Sequence, residues 1–324
     1  MNQFRSLVFV ALAAMLLQSV PAVAASPLYR IGVLTPGLTF NPVLDGFRAA
    51  LARLGYHDGQ QVQFIVEDLQ GDAAGLTQRA ERLAAAHPHM ILTVATAQAA
   101  AAKRATATIP IVFTWVGDPL GSGFIAGYSN SGNNVTGVSN ESAALSGKRL
   151  EVLLEANPKI RRVLAIVPAQ EDIALRCFQA LDEAAKRRGI HVLRKDVTSR
   201  EDIERVLRET PRGTFDAMAL IPSSLGVAHA KLLIQRAMAD RVPLSVHEES
   251  MAEQGALLSF GPEFHATGAQ AAKLAVKIFK GVKPSELPTQ TPEKLQLAIN
   301  LTTAKTIGLK IPRSLIERAD QLVD

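Results

Sequence analysis

Apolar positions in this chain recur with two periods, and the period switches many times. Residues 29–34 (YRIGVL) read as a strand ending in the turn Thr35-Pro36-Gly37. Asn41 and Pro42 then give an N-cap and a proline at the first helical position, and Leu44, Phe47, Leu51 and Leu54 keep a helical spacing up to Gly55. Residues 61–66 predict a second strand, Leu76, Ala80, Leu83 and Ala84 the face of a second helix, residues 90–94 a third strand and 97–105 an Ala-rich helix. Ile111, Val112, Phe113, Trp115 and Val116 form a nearly continuous β-branched and aromatic run, as expected of a strand covered on both faces of a parallel sheet. Four strands alternating with three helices, with no hairpin signal, predict a parallel sheet with right-handed crossovers.

After a Gly/Asn/Ser loop, residues 135–138 resume β character, and Ser139 and Asn140 lead toward a new helix. There the chain is expected to leave one lobe for another. Helices are predicted at 145–156, 173–188, 203–208 and 227–241, with strands at 161–167, 191–197, 217–221 and 243–246. A helical turn at 251–254 and a strand at 257–260 follow, and then a long helix at 266–280 behind Gly261-Pro262-Glu263. After a Pro-rich connection, residues 295–300 alternate as a strand, and 302–307 and 313–322 are expected to close the chain helically. The fold class is thus α/β with two Rossmann-like lobes, and several late elements cross back between them.

Composition narrows this further. With 324 residues there is room for two ordinary domains. Arg5, an apolar core at 7–17 and Ala22-Val23-Ala24 are the three parts of a secretory signal, expected to be cleaved after Ala24. No cysteine follows that core, which speaks against a lipid anchor and for a soluble periplasmic protein. The one cysteine, Cys177, falls on an apolar helical face with Ile173, Ala180, Leu181 and Ala184, the place of a buried inert thiol. The net charge of +5 is mild and spread over helical faces without interleaved aromatics, a pattern that disfavours nucleic acid.

The runs ATATIPIVFTWVGDPLGSGF…GNNVTGVS and LQLAINLTTAKTIGLKIPRSLIERAD resemble the ABC transporter substrate-binding protein family of the ABC_sub_bind type. The resemblance covers residues 29 to 324 and implies a type I periplasmic binding protein: two lobes joined by three crossovers, a small solute in the cleft and delivery to an inner-membrane ABC permease. It implies lobe 1 from 25–138 plus about 262–290, and lobe 2 from 139–261 plus about 291–324, with hinge segments near 138–140, 260–263 and 289–292. Aromatic amino acids are ligands of characterised relatives.

Loops after strands and the first turns of helices should line such a cleft, because free N–H groups there suit a carboxylate. This selects Thr35, Pro36 and Asn41, then Thr96, Ala97 and Gln98, then Thr114, Asp118 and Pro119 in lobe 1. In lobe 2 it selects Gln170, Ser223, Ser224, Glu248 and Ser250. Asp118 or Glu248 would hold a ligand ammonium group, while helix capping or a turn is an equal reading for each Thr, Ser or Asn. Trp115 reads as core beside Phe113 or as a ring for stacking on a ligand, and Tyr128 as cleft or surface. Gly121-Ser122-Gly123 with Gly127 has the wrong spacing for a dinucleotide loop, and His87-Pro88-His89 lacks a third metal ligand. Neither a nucleophile elbow, a His-Glu-x-x-His motif nor a Walker A loop is present, so no cofactor and no catalytic residue are expected. The expectation is a monomeric solute-binding protein for an amino acid or similar carboxylate. A sensory module presenting its solute to a membrane receptor is the alternative, and a periplasmic enzyme a more remote one.

Overall fold

The computed structural model describes residues 28–37, 40–71 and 74–324, so the expected secretory signal lies outside the described residues. The first sheet holds five parallel strands in the order β2-β1-β3-β4-β5: β1 Tyr29–Thr35, β2 Val62–Asp68, β3 Met90–Val94, β4 Ile111–Val116 and β5 Val135–Ser139. Helices α1 Asn41–Arg53, α2 Leu76–Ala85 and α3 Thr96–Ala105 connect the first four. Successive residues of a strand face opposite sides, and β3 shows the result. Leu92 joins Phe47, Leu51 and Val112 on one side of the sheet, while Ile91 joins Ala99, Phe113 and Val135 on the other.

The second sheet has seven strands in the order β12-β11-β10-β9-β8-β6-β7. These are β6 Arg162–Pro168, β7 His191–Val197, β8 Ala217–Leu220, β9 Leu244–Val246, β10 Leu258–Pro262, β11 Leu295–Asn300 and β12 Gln321–Val323. All its pairings are parallel except β10 with β11. Its helices are α4 Ser142–Ala156, α5 Asp172–Arg187, α6 Arg200–Glu209, α7 Ser224–Ala228, α8 Ala230–Asp240 and α9 Glu249–Glu253, with α11 Leu301–Ile307 and α12 Arg313–Ile316 near the end of the chain. Val163, Ala165 and Val167 pack toward α4 and α5, Leu164 and Ile166 toward α6 and α8.

Helix α10, Phe264–Phe279, comes late in sequence yet completes the first lobe. Its Ala271, Leu274 and Ala275 share a core with Phe47 and Leu51 of α1. The two helices touch through glycines: a Cβ on Gly46 would stand 2.0 Å from the His265 carbonyl oxygen, and one on Gly268 1.9 Å from that of Val43. Nothing larger than hydrogen fits at that crossing.

The chain passes between the lobes three times, after Ser139, after Pro262 and before β11. The first and third passages lie side by side, with Ser139 N–H donating to Gln290 O at 2.9 Å and Gln290 N–H to Gly137 O at 2.8 Å. Glu263 N–H donates to Lys294 O at 3.2 Å and ties the second passage to the third.

Three sequence expectations need correction. The stretch 227–241 is two helices, because His229 leaves helical geometry at φ −119°, ψ 18°. The terminal stretch is helical only to Ile316. Asp320 exchanges main-chain and carboxylate bonds with Leu297, which hands the following residues to the edge of β11 as β12. Asn41 is exposed and caps nothing; the N-cap position of α1 is Phe40.

Candidate functional site

Ligands of open parallel sheets bind beyond the C-terminal ends of the strands, and there this chain departs most from relaxed geometry. Ala95, directly after β3, has φ 74°, ψ 161°, a region otherwise left to glycine. Trp115 has φ 57°, at a register shift that lets Thr114 and Val116 face successive residues of β5. Glu141, in the first passage, has φ 49°. The other non-glycine residues with left-handed backbone have local reasons: His87 and Arg241 follow helix ends, and Gln70 N–H bonds back to Asp68. Each strained residue costs about 1–3 kcal/mol, so three near one region mark a place the rest of the fold holds under constraint.

Buried polar atoms tell the same story. Among the described residues, Thr93 Oγ1, Trp115 Nε1, Ser245 Oγ, His247 Nδ1, Ser250 Oγ and Thr289 Oγ1 are buried without a hydrogen-bond partner. They belong to the ends of β3 and β4, the end of β9 with the start of α9, and the third passage. Buried polar groups are nearly always bonded in folded proteins, so this grouping is a property of the site.

Lobe 1 contributes an aromatic wall. Trp115 is stacked on Phe264 with centroids 4.1 Å apart and planes at 14°, and Phe40 meets both rings edge-on. Val43 and Val94 complete the group. Trp115 thus packs with these rings and not beside Phe113, which belongs to a different cluster with Ile91 and Val135.

Lobe 2 contributes buried charge. Glu248 follows β9 and is only 3% exposed, and no described residue donates a hydrogen bond to its carboxylate. Burial pushes it up to about 7, against a weaker pull from Arg149. The neighbouring His247, its Nε2 3.6 Å away, is held down to about 3 by burial and by Arg149, so it is neutral. Arg149 of α4 is itself buried. Its Nε donates to Phe260 O at 2.7 Å and its Nη1 to Ser142 O and Ser146 Oγ at 3.1 and 3.2 Å. One side chain thereby links residues just beyond the first passage and just before the second. Burial lowers it to about 10, still protonated at neutral pH.

The predicted residues divide. Thr114 is fully buried and donates to Thr93 O, a sheet contact. Thr35 Oγ1 accepts from Gly37 N–H and shapes the turn. Ser223 caps α7 by accepting from Gly226 N–H, and the N–H groups of Ser224 and Leu225 are taken by the Glu171 carboxylate at 2.7 and 2.9 Å. Thr35 and Ser223 thus serve a turn and a helix cap, Thr114 makes a sheet contact, and Ser224 donates its main-chain N–H. Asp118 is paired with Arg176 at 3.0 Å and accepts from Gly121 N–H. Pro119 is buried, Pro36 half-buried, Ala97 and Gln170 are exposed, and Thr96 opens α3 behind strained Ala95 with Gln98 buried two residues on. Glu248, Ser250 and Gln98 remain as polar groups with unused bonding capacity. Tyr128 donates to Glu141 at 3.2 Å beside the first passage, and burial with that carboxylate pushes its hydroxyl up to about 12. His89 Nδ1 accepts from Arg30 N–H, a structural use. Cys177 is fully buried, its thiol pushed up to about 11 by burial.

Sequence reasoning missed Arg149, Arg176, Glu171 and Phe264. Both arginines sit on helices, with nothing local to separate the buried Arg149 from its neighbour Lys148 or to mark the partner of Arg176. Phe264 carried a signal: an aromatic directly after Gly-Pro-Glu at a helix start.

Comparison with known proteins gives consistent results. A model of the family described as ABC transporter substrate binding protein matches residues 33–323. A protein of Clostridioides difficile named tyrosine-binding protein is 25% identical over 277 residues, 84% of this chain and 79% of that protein. A conserved domain protein of Vibrio cholerae superposes with a TM-score of 0.82 at 25% identity, over 91% of this chain and 99% of that one. An ABC domain from Streptococcus pneumonia, crystallised in complex with L-Trp, shares the fold with the same coverage and TM-score at 23% identity.

Proposed function

The chain belongs to the ABC transporter substrate-binding protein family, and on that premise we propose that it captures an amino acid, with an aromatic one as the leading candidate, between its two lobes. The observation that carries this reading is the pairing of an aromatic wall on one lobe with a buried, donor-free carboxylate on the other. Glu248 offers an acceptor to a ligand's ammonium group, with Ser250 and Gln98 as further polar contacts. The Phe40, Trp115 and Phe264 group offers apolar surface to a side chain. The names of the two ligand-bearing relatives, one tyrosine-binding and one held with L-Trp, agree with that division. Burial of a ring together with several hydrogen bonds is enough for micromolar affinity, about −8 kcal/mol.

In this reading the lobes are 25–138 with about 262–290, and 139–261 with about 291–324. The three passages act as the hinge, a recognised mode of domain closure. The protein is exported to the periplasm as a soluble monomer, hands its solute to an inner-membrane permease and performs no chemistry of its own.

The test is a thermal-shift series on the mature chain from Ala25 with L-tryptophan, L-tyrosine, other amino acids, sugars and nucleosides. A ligand at a thousand times its Kd stabilises the folded state by about 4 kcal/mol. A melting shift confined to amino acids supports the assignment. A shift confined to sugars or nucleosides, or none with any amino acid, overturns it.

A further inference from the structure

Asp118 has its oxygens committed within the protein. Oδ1 accepts from Gly121 N–H at 2.8 Å, and Oδ2 meets Nη1 of Arg176 at 3.0 Å. The same guanidinium reaches Gly121 O from Nη2 at 3.4 Å. One arginine of α5, on the second sheet, is thus gripped by a side-chain carboxylate and a main-chain carbonyl of one short loop at the end of β4, on the first sheet. The approach is close. A Cβ on Gly117 would lie 2.8 Å from Cδ1 of Ile173, and one on Gly121 2.4 Å from Nη1 of Arg176. Among the described ion pairs the others lie within one lobe or, for Lys273 with Glu293, run from α10 to the third passage. Asp118 with Arg176 joins lobe to lobe through side chains, beside the first passage, where Asn140 N–H donates to Val116 O at 3.1 Å.

The geometry points to Asp118 and Arg176 as a strut that sets the balance between open and closed lobes, with Asp118 serving the opposite lobe's arginine and not a ligand's ammonium group. The inference about affinity rests on the function proposed above; the inference about shape does not. Apparent affinity in a two-lobed binder scales with the fraction of molecules able to close. The side chains are 44% and 21% exposed, so solvent and salt screen the pair. That suits a contact which tunes an equilibrium without locking it.

The experiment uses the full mature chain and three kinds of variant. Asp118→Asn and Arg176→Gln each remove one charge, the double variant Asp118→Arg with Arg176→Asp reverses both, and Gly117→Val wedges the loop away from Ile173. Small-angle X-ray scattering without ligand reads the lobe arrangement, calorimetric titration with L-tryptophan reads capture, and far-ultraviolet circular dichroism confirms folding. The single variants are expected to scatter as a more open particle and to weaken L-tryptophan by about threefold to fivefold. The reversed pair should return both toward the parent, and Gly117→Val should open the particle further than either single change. Scattering that stays at the parental profile in all the folded variants overturns the strut. Binding lost in the reversed pair, with scattering unchanged throughout, returns Asp118 to the ligand. If the parent does not bind L-tryptophan, that candidate ligand falls while the scattering still decides the strut.

Discussion

Trp115 and Phe264 lie face to face with ring centroids 4.1 Å apart, although the chain travels through the whole middle of the second lobe between them. One ring ends a strand of the first sheet, and the other opens the helix by which the chain returns. Trp115 is also the one tryptophan in the sequence. Its fluorescence should therefore report on the cleft without labelling. The parent should emit at short wavelength, and Phe264→Ala should shift emission to the red while lowering stability by about 3–5 kcal/mol, as expected for removing a buried ring. A red-edge spectrum in the parent would show that the ring stack does not persist in solution.

Ala95 holds a backbone conformation that glycine adopts without penalty. Relief of about 1–3 kcal/mol of strain outweighs the extra chain entropy of glycine, roughly 0.5–1 kcal/mol. Ala95→Gly is expected to raise the denaturant midpoint with an unchanged slope, and a lower midpoint would mean that this conformation carries little strain.

Glu248 makes stability depend on pH in the direction opposite to an ordinary ion-paired carboxylate. Its folded value, about 7, lies above its ordinary 4.5. Between those values the folded state binds more protons than the unfolded chain, so the contribution is present at low pH and is lost as pH rises through that window. Neutral His247, held to about 3, works the other way and costs stability as pH falls below 6.5. Comparison with Glu248→Gln cancels the histidine. The variant should lose the decline between pH 5 and pH 8 and be the more stable protein at pH 8, as read by urea melts. A parallel pair of pH profiles would show that Glu248 titrates normally.

Gly46 and Gly268 leave no room between α1 and α10. Either change to alanine puts a methyl group against a backbone oxygen, which cannot rotate away. Each should destabilise by about 2–3 kcal/mol, at the upper part of the overpacking range, whereas Gly55→Ala, with open space around it, would cost only what its left-handed φ imposes. Thermal melts of the three variants provide the comparison.

The alternation of strands and helices was legible in the sequence because it depends on local periodicity. The five all-buried positions of β3 and six of β4 are runs that no other placement would tolerate. The same periodicity picks out the loops after the strands, from which the candidate site is built, but not the roles of the residues within them. Ser223 and Ser224 look alike in sequence, yet one caps a helix and the other gives its N–H to a glutamate 53 residues earlier. Asp118 was rightly placed at the end of a strand, and its partner Arg176 could be known only once the two lobes were docked. Glycines at a helix crossing, like an arginine buried behind a cleft, are chosen by contacts remote in sequence and leave no periodic trace. The break at His229 and strand β12 were missed because both are decided by neighbouring elements and not by the segments themselves.

Helix α10 also fixes an order of events during synthesis. The apolar face of α1, with Leu44, Phe47 and Leu51, is covered by residues that run to Phe279. A nascent chain that has completed every strand of the first sheet can cover that face only in part, and the cover from α10 is missing until most of the second lobe has been made. Folding from the N-terminus one lobe at a time is therefore closed to this topology. The early segments need either an unfolded, chaperoned wait or a late, concerted collapse, and truncation before α10 should yield a sticky, aggregation-prone fragment in place of an isolated lobe.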